Sequence, residues 1–168
     1  MISPELVRRY PFSAGLSEEQ IIALAKTATE QDVPAGEVLF REGDTLCCVY
    51  VVVQGAVAIN IAVPDRDAAQ SVANQITGEM PTTNITVSTA GTGEVFSWSA
   101  LVEPYLATAS AVTLTPCKLI AFDCNELRKL FEKDCCFGCR MMQVAIQIAR
   151  DRLRDTRIEA LVLAAEKQ

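Results

Sequence analysis

A chain of 168 residues, half of them apolar, suits one domain and can build a core without disulfide or metal staples. Charged residues make up 21%, which excludes a compositionally disordered chain, and the net charge of −6 argues against nucleic-acid binding through a broad basic face. The absence of histidine removes the triad bases, the His-based metal sites and the usual proton shuttles, so a regulatory role is expected rather than an enzymatic one.

In chain order, Ser3-Pro4-Glu5 predicts a short helix, with Ser3 as N-cap and Pro4 in its first turn. Ser17 and Gln20 form a capping box, after which Ile21, Leu24, Ala25 and Ala28 fall on one helical face. Residues 1–30 are thus read as N-terminal helices. After Pro34-Ala35-Gly36 the pattern changes to short strands at Val38–Phe40 and Cys47–Val53, then a turn at Gln54-Gly55 into Ala56–Val63. Residues 64–83 are polar and carry Pro64, Gly78 and Pro81; they predict a long loop with one turn of helix near Ala68–Val72. Ile85–Ser88, Val95-Phe96, Ala107–Leu114 and Lys118–Phe122 complete about eight short strands. Short strands broken by glycine turns predict a mainly β fold, a barrel or jelly roll over 31–122, with flanking helices.

From Asp123 onward the chain reads as helix to residue 168. Asp123 caps Glu126–Phe131, and the longest helix runs from Asp134 to Ala165. Along it Cys139, Met142, Ile146, Ala149, Leu153, Thr156, Ala160 and Leu163 recur at steps of three and four, between flanks rich in Arg, Asp and Glu. That is an a/d seam of about three and a half heptads, and it predicts a homodimer joined through this helix.

Two stretches carry a specific pattern: Ala35-Gly36-Glu37-Val38-Leu39-Phe40-Arg41-Glu42-Gly43-Asp44, and Tyr50-Val51-Val52-Val53-Gln54-Gly55-Ala56-Val57. Together they closely resemble the cyclic-nucleotide-binding domains of the catabolite-activator and protein-kinase-A regulatory families. Pro11–Ser17 is similar to the helical lead-in of those domains, and the resemblance spans roughly residues 10–160. It implies an eight-stranded double-stranded β-helix, or jelly roll, with a helix before it and two after. It also implies a ligand cassette between two strands, close to F-G-E-x-A-L followed by an arginine and small residues. In that cassette the Arg pairs with the cyclic phosphate, the Glu with the ribose hydroxyl, and backbone N–H groups of a short helix assist.

The corresponding segment here runs from Gly93 to Ala111 and departs from the pattern. Phe96, Ala100, Leu101 and Ala109 keep the frame, but Ser97 stands for the Gly and Trp98 for the Glu. Leu106 or Ala107 falls where the Arg belongs, and no Lys or Arg occurs between Arg66 and Lys118. The candidate ligand-binding residues are Phe96, Ser97, Trp98, Ser99, Ala100, Leu101, Leu106, Ala107 and Thr108. A charge-assisted hydrogen bond contributes about 1.5–3 kcal/mol, and a buried unpaired charge costs about 3–5 kcal/mol. Loss of the Arg alone is expected to weaken a cyclic nucleotide by roughly 10²- to 10³-fold or more. Two readings of the cassette follow. Either Trp98, Leu106 and their neighbours close an empty pocket, or a small ligand, nucleotide or other, binds through altered contacts in which Ser99, Thr108 and Ser110 take part. Trp98 would stack on a base in the second reading and fill the pocket in the first.

The seven cysteines, an odd number, and an N-terminus lacking a signal-peptide apolar core predict free thiols in a reducing cytoplasm. No apolar run approaches the ~20 residues that span a bilayer. Cys135, Cys136 and Cys139 are read as small buried apolar residues, with a redox-sensing thiol group near a dimer axis as the alternative; no metal site is expected. Cys47 and Cys48, as neighbours in a strand, are expected to point to opposite faces. Asp65-Arg66-Asp67 is read as a solvated loop or a partner surface, and the pairs Asp151-Arg152 and Arg154-Asp155 as a solvated helix flank. The expectation is a stand-alone regulatory domain, dimeric, with weak or no binding of cyclic AMP or GMP, acting as sensor or scaffold. No cofactor is required beyond such a small ligand. No DNA-reading segment follows the long helix, so output is expected through a separate protein, without direct DNA or membrane binding.

Overall fold

The computed structural model describes residues 2–64 and 82–165, the side chains of Glu159, Leu163 and Ala164 excepted. The helical turn expected at Ala68–Val72, Asp65-Arg66-Asp67 and the seam side chain of Leu163 lie outside the described residues. Helix α1 (Pro4–Arg8), a 3₁₀ turn (Pro11–Ser13) and α2 (Glu18–Lys26) open the chain. Strands β1 (Ala28–Val33), β2 (Val38–Phe40), β3 (Cys48–Gln54), β4 (Val57–Pro64), β5 (Thr82–Ala90) and β6 (Val95–Phe96) follow. A 3₁₀ turn (Trp98–Leu101), β7 (Ser110–Thr113), β8 (Cys117–Asp123), α3 (Cys124–Lys133) and α4 (Cys135–Ala165) complete it. The strands form two antiparallel four-stranded sheets, ordered β1-β8-β3-β6 and β2-β7-β4-β5, which is the expected jelly roll.

The capping box forms as expected: the Gln20 amide donates to Ser17 Oγ at 3.2 Å, and the Ser17 amide donates to Gln20 Oε1 at 3.0 Å. The helix stops earlier than its apolar pattern suggests. Ala28 is not helical; it begins β1 and pairs with Phe122 of β8. The strand escapes a sequence reading because Thr29-Glu30-Gln31-Asp32 are exposed and polar. Among the described residues β1 pairs with β8 alone, and charged residues on such an edge oppose pairing with other chains.

The β1-β8-β3-β6 sheet is covered on both faces. Val49, Val51, Ile120 and Phe122 pack towards the helices with Phe12, Leu24, Leu127, Phe137 and Met141. Val52, Phe96 and Leu119 pack into the roll with Val57 and Ala111. Burial on two sides explains why β3 and β8 read as continuous apolar runs. Phe40, Tyr50 and Phe96 fill the roll as a stack, with Tyr50 and Phe96 centroids 5.2 Å apart. Gly55 makes the β3–β4 turn at φ +98°, where an added Cβ would lie 2.7 Å from Cys117 Sγ and from Pro116 O. A side chain there meets both backbone strain and a filled space.

Helix α4 has two faces. Asp134 Oδ1 accepts from the Phe137 amide at 2.9 Å and caps its start, while Asp134 Oδ2 accepts from Gln20 at 2.8 Å and ties it to α2. Phe137, Met141 and Val144 are buried against the roll and α3. The predicted seam lies elsewhere on the helix. Met142 is half-buried, Cys139, Ala149, Thr156 and Ala160 are exposed, and Ile146 and Leu153 are 67% and 53% exposed. Past Arg152 the exposed apolar surface widens to Ile158, Leu161 and Val162. Val162 lies five turns after Val144 and so continues the face that nearer the roll is buried.

Candidate functional site in the cassette

The cassette begins at the end of β6, where Phe96 is fully buried inside the roll. Ser97 then adopts the left-handed conformation (φ +70°, ψ +30°) and starts the Trp98–Leu101 turn. That conformation costs a non-glycine residue roughly 1–2 kcal/mol. The Ser97 hydroxyl compensates by donating to the Cys48 carbonyl at 2.9 Å. Ala100 is fully buried in the core, and Leu101 packs on the same core. The chain continues through an exposed Val102, with Tyr105 also at positive φ (+60°). It is fastened again where Leu106 bridges Thr45 and the Ala107 amide donates to the Asp44 carbonyl at 2.8 Å.

A cavity of about 160 Å³ lies inside this turn. Its walls include Phe40, Leu46, Ser97, Trp98, Ser99, Ala107 and Thr108, and α4 closes it with Ile148, Ala149 and Arg152. Of the predicted ligand residues, Ser97, Trp98, Ser99, Ala107 and Thr108 meet there. Phe96, Ala100 and Leu101 do not line it; their side chains are taken up by the cores. Leu106 is 40% exposed and outside the lining, so the closing role expected of it is not borne by its side chain. Ala107, 4% exposed, is the position of the two that faces the cavity. Trp98 spans cavity and core, and its indole Nε1 is buried with no hydrogen-bond partner among the described residues.

The expectation of a pocket without a cation needs correction. The cassette segment supplies none, but two helices far along the sequence do. Arg128 of α3 holds the cassette from outside: Nη1 donates to the Ala100 carbonyl at 2.8 Å, and the guanidinium carbon sits 4.2 Å from the Tyr105 ring centroid. Arg152 of α4 lines the cavity itself, and its Nη2 donates to the Val95 carbonyl at 2.9 Å. It is therefore not part of a solvated flank. Burial pulls the Arg152 guanidinium below its ordinary range, and the Glu94 carboxylate opposes that pull. No local motif announces either residue; the coiling of the chain around the roll brings them to the cassette. Across Arg152 and Ile148 lies a larger cavity of about 410 Å³, bounded by Phe12, Val95 and Val144 and carrying Glu94, Arg140, Asp151 and Asp155.

The cysteines also depart from expectation. Cys135, Cys136 and Cys139 are exposed rather than buried, whereas Cys117 and Cys124 are buried. Cys47 precedes β3, so strand alternation does not separate it from Cys48; the two sulfurs lie 3.7 Å apart. Burial, then the neighbouring Cys47 thiol, pushes the Cys48 thiol up to about 12. Among the described residues no cluster of three His, Cys, Asp or Glu is placed to hold a metal ion, and no helix is long and apolar enough to cross a membrane.

Comparison with known proteins agrees with this fold. A sequence model of the cyclic nucleotide-binding domain matches residues 30–134. The CRP-like cAMP-activated global transcriptional regulator of Mycobacterium tuberculosis is 26% identical over 125 residues, covering 74% of this chain and 48% of that protein. The chain thus spans about half the length of the curated relatives it matches. A Geobacter metallireducens GS-15 protein assigned as cyclic nucleotide-binding superimposes with a TM-score of 0.73 at 25% identity, covering 91% of this chain and 99% of that one. The N-terminal domain of a Streptomyces coelicolor A3(2) transcriptional regulator gives a TM-score of 0.63 at 26% identity, covering 92% and 94%.

Proposed function

We propose that this chain, which belongs to the cyclic nucleotide-binding domain family, is a regulatory module that holds cyclic nucleotides weakly or not at all and signals through a dimer built on α4. One observation carries the reading: the helix that closes the cassette cavity bears a bare apolar stripe elsewhere on its surface. Ile148, Ala149 and Arg152 line the cavity, while Ile146 and Leu153 stand exposed beside them. Ala149 belongs to both the lining and the seam. A ligand that moves α4 therefore changes how the seam is presented, and a dimer that fixes α4 changes the cavity.

Three features support weak cyclic-nucleotide binding. The cavity, at about 160 Å³, is below the 300–1,000 Å³ usual for small-molecule sites. Trp98 occupies the place of the ribose-binding Glu, and Ala107 that of the phosphate-binding Arg. The module is not read as an enzyme, and its output passes through a partner that responds to the dimer, without DNA contact by these residues. Calorimetric titration with cyclic AMP and cyclic GMP tests the reading. Wild type is expected to give no heat at micromolar ligand, and Trp98→Glu combined with Ala107→Arg is expected to gain binding. Micromolar binding by wild type refutes it. A thiol switch is the second reading, favoured by the exposure of Cys139 on the seam; oxidant would then change the oligomeric state, and Cys139→Ser would not respond.

A further inference from the structure

We infer that Cys47 and Cys48 form a two-thiol modification site, which a low-molecular-weight disulfide converts into a disulfide between the two neighbours, and that this closure acts on the cassette through Ser97. The two sulfurs lie 3.7 Å apart. Neighbours within a strand send their side chains to opposite faces, but Cys47 stands just before β3, and there both thiols come to one side. Both line a cavity of about 340 Å³ with Leu39, Phe40, Asp44 and Tyr50, a volume in the range of small-molecule sites. Cys47 is exposed and Cys48 half-buried, so a reagent in that cavity meets both sulfurs. The other thiols lack this arrangement. Cys117 and Cys124 are buried, and the adjacent, exposed Cys135 and Cys136 open a helix, where successive side chains do not face each other.

The exchange has two steps. Cys47 gives its proton to water, and its sulfur attacks one sulfur of the incoming disulfide, releasing one thiolate and leaving a mixed disulfide on Cys47. Cys48 then gives up its proton, attacks Cys47 Sγ and releases the second thiolate. The pair loses two electrons and two protons; the incoming disulfide is reduced to two thiols. Burial, then the Cys47 side chain, raises the Cys48 thiol to about 12, so the exposed Cys47 reacts first. The second step is intramolecular and gains from proximity what the raised thiol loses.

The new ring would be closed across the single Cys47–Cys48 peptide. The Cys47 carbonyl lies within that ring and accepts from the Cys124 amide, at the start of α3, at 2.9 Å. The Cys48 carbonyl is attached to the ring and accepts from the Ser97 hydroxyl at 2.9 Å. Ser97 is the left-handed residue that starts the Trp98–Leu101 turn. Closing the ring turns the peptide that these two bonds hold, so oxidation shifts the entry to the cassette.

The full chain is treated with excess glutathione disulfide, its remaining thiols are alkylated, and it is cut with trypsin. Cleavage after Arg41 and Arg66 yields a peptide, residues 42–66, whose only cysteines are Cys47 and Cys48. That peptide is expected two hydrogens lighter and unalkylated, and Cys48→Ser should retain the mixed disulfide on Cys47. Should Cys48→Ser fail to fold, the wild-type peptide decides alone. Both thiols alkylated, a mixed disulfide that persists in wild type, or a link to another peptide overturns the site. Trp98, the sole tryptophan, reports the coupling. With Cys135, Cys136 and Cys139 all changed to Ser, oxidation should alter its emission, and dithiothreitol should restore it. Adding Ser97→Ala should leave ring closure intact and remove most of that response. A closed pair with unchanged emission, or with the same response in a folded Ser97→Ala, overturns the coupling. None of these outcomes bears on the dimer or on the Cys139 switch, which are read from oligomeric state.

Discussion

Truncating the seam on α4 is the sharpest test of the dimer. Ile146 and Leu153 are 67% and 53% exposed in the single chain. Full burial of such a side chain contributes about 1.5–3 kcal/mol, so covering what remains exposed contributes about 2–3.5 kcal/mol per protomer for the pair. Two-fold symmetry counts each residue twice, which gives about 4–7 kcal/mol per dimer. Ile146→Ala with Leu153→Ala removes most of this and raises the dimer dissociation constant by roughly 10³- to 10⁵-fold. Neither residue is buried against the roll, so the thermal melting of the monomer should change little. Sedimentation velocity over a dilution series reads the effect directly. A wild type that is monomeric at tens of micromolar, or a double variant that dimerises like wild type, refutes the seam.

Other outcomes follow from local geometry. Ser97→Gly relieves the left-handed strain but loses the bond to Cys48 O and stiffens nothing, so unfolding should shift by no more than about 1 kcal/mol. Ser97→Val, by contrast, should cost about 2–4 kcal/mol in chemical denaturation; a silent Ser97→Val contradicts the strained turn. Gly55→Ala should destabilise by at least about 2 kcal/mol, because its Cβ meets Cys117 Sγ and Pro116 O at 2.7 Å; an unchanged midpoint argues against that turn. The Asp134 carboxyl is held below the ordinary range, first by the Gln20 side chain and then by the Phe137 amide. Because the folded value is the lower one, this contribution is complete above the ordinary Asp value, about 4, and is lost as pH falls through the folded value. The melting gap between wild type and Asp134→Ala should therefore close on acidification below about pH 4, and a gap that stays constant to pH 2 rejects the assignment.

Local pattern was sufficient for the capping box at Ser17, the turn at Gly55 and the length of α4, because each depends on residues close in sequence; it left the strands as a barrel or a jelly roll, and the family resemblance implied the jelly roll. β1 was illegible because an edge strand buries almost nothing: Thr29–Asp32 carry no apolar alternation, and their pairing with Lys118–Ala121 is a long-range event. The cassette was legible as a departure from a family pattern, through Ser97, Trp98 and an arginine missing at Leu106 or Ala107, but its charge was not. Arg152 and Arg128 look like ordinary helix-surface cations in one dimension. They become cassette residues because α3 and α4 fold back over β6 and the Trp98–Leu101 turn, bringing guanidiniums onto the carbonyls of Val95 and Ala100. The same folding sorted the apolar residues of α4 into a buried face, from Phe137 to Val144, and a bare one at Ile146 and Leu153. Periodicity names residues that share a helical face, whereas which face meets the roll depends on contacts between segments far apart in the chain.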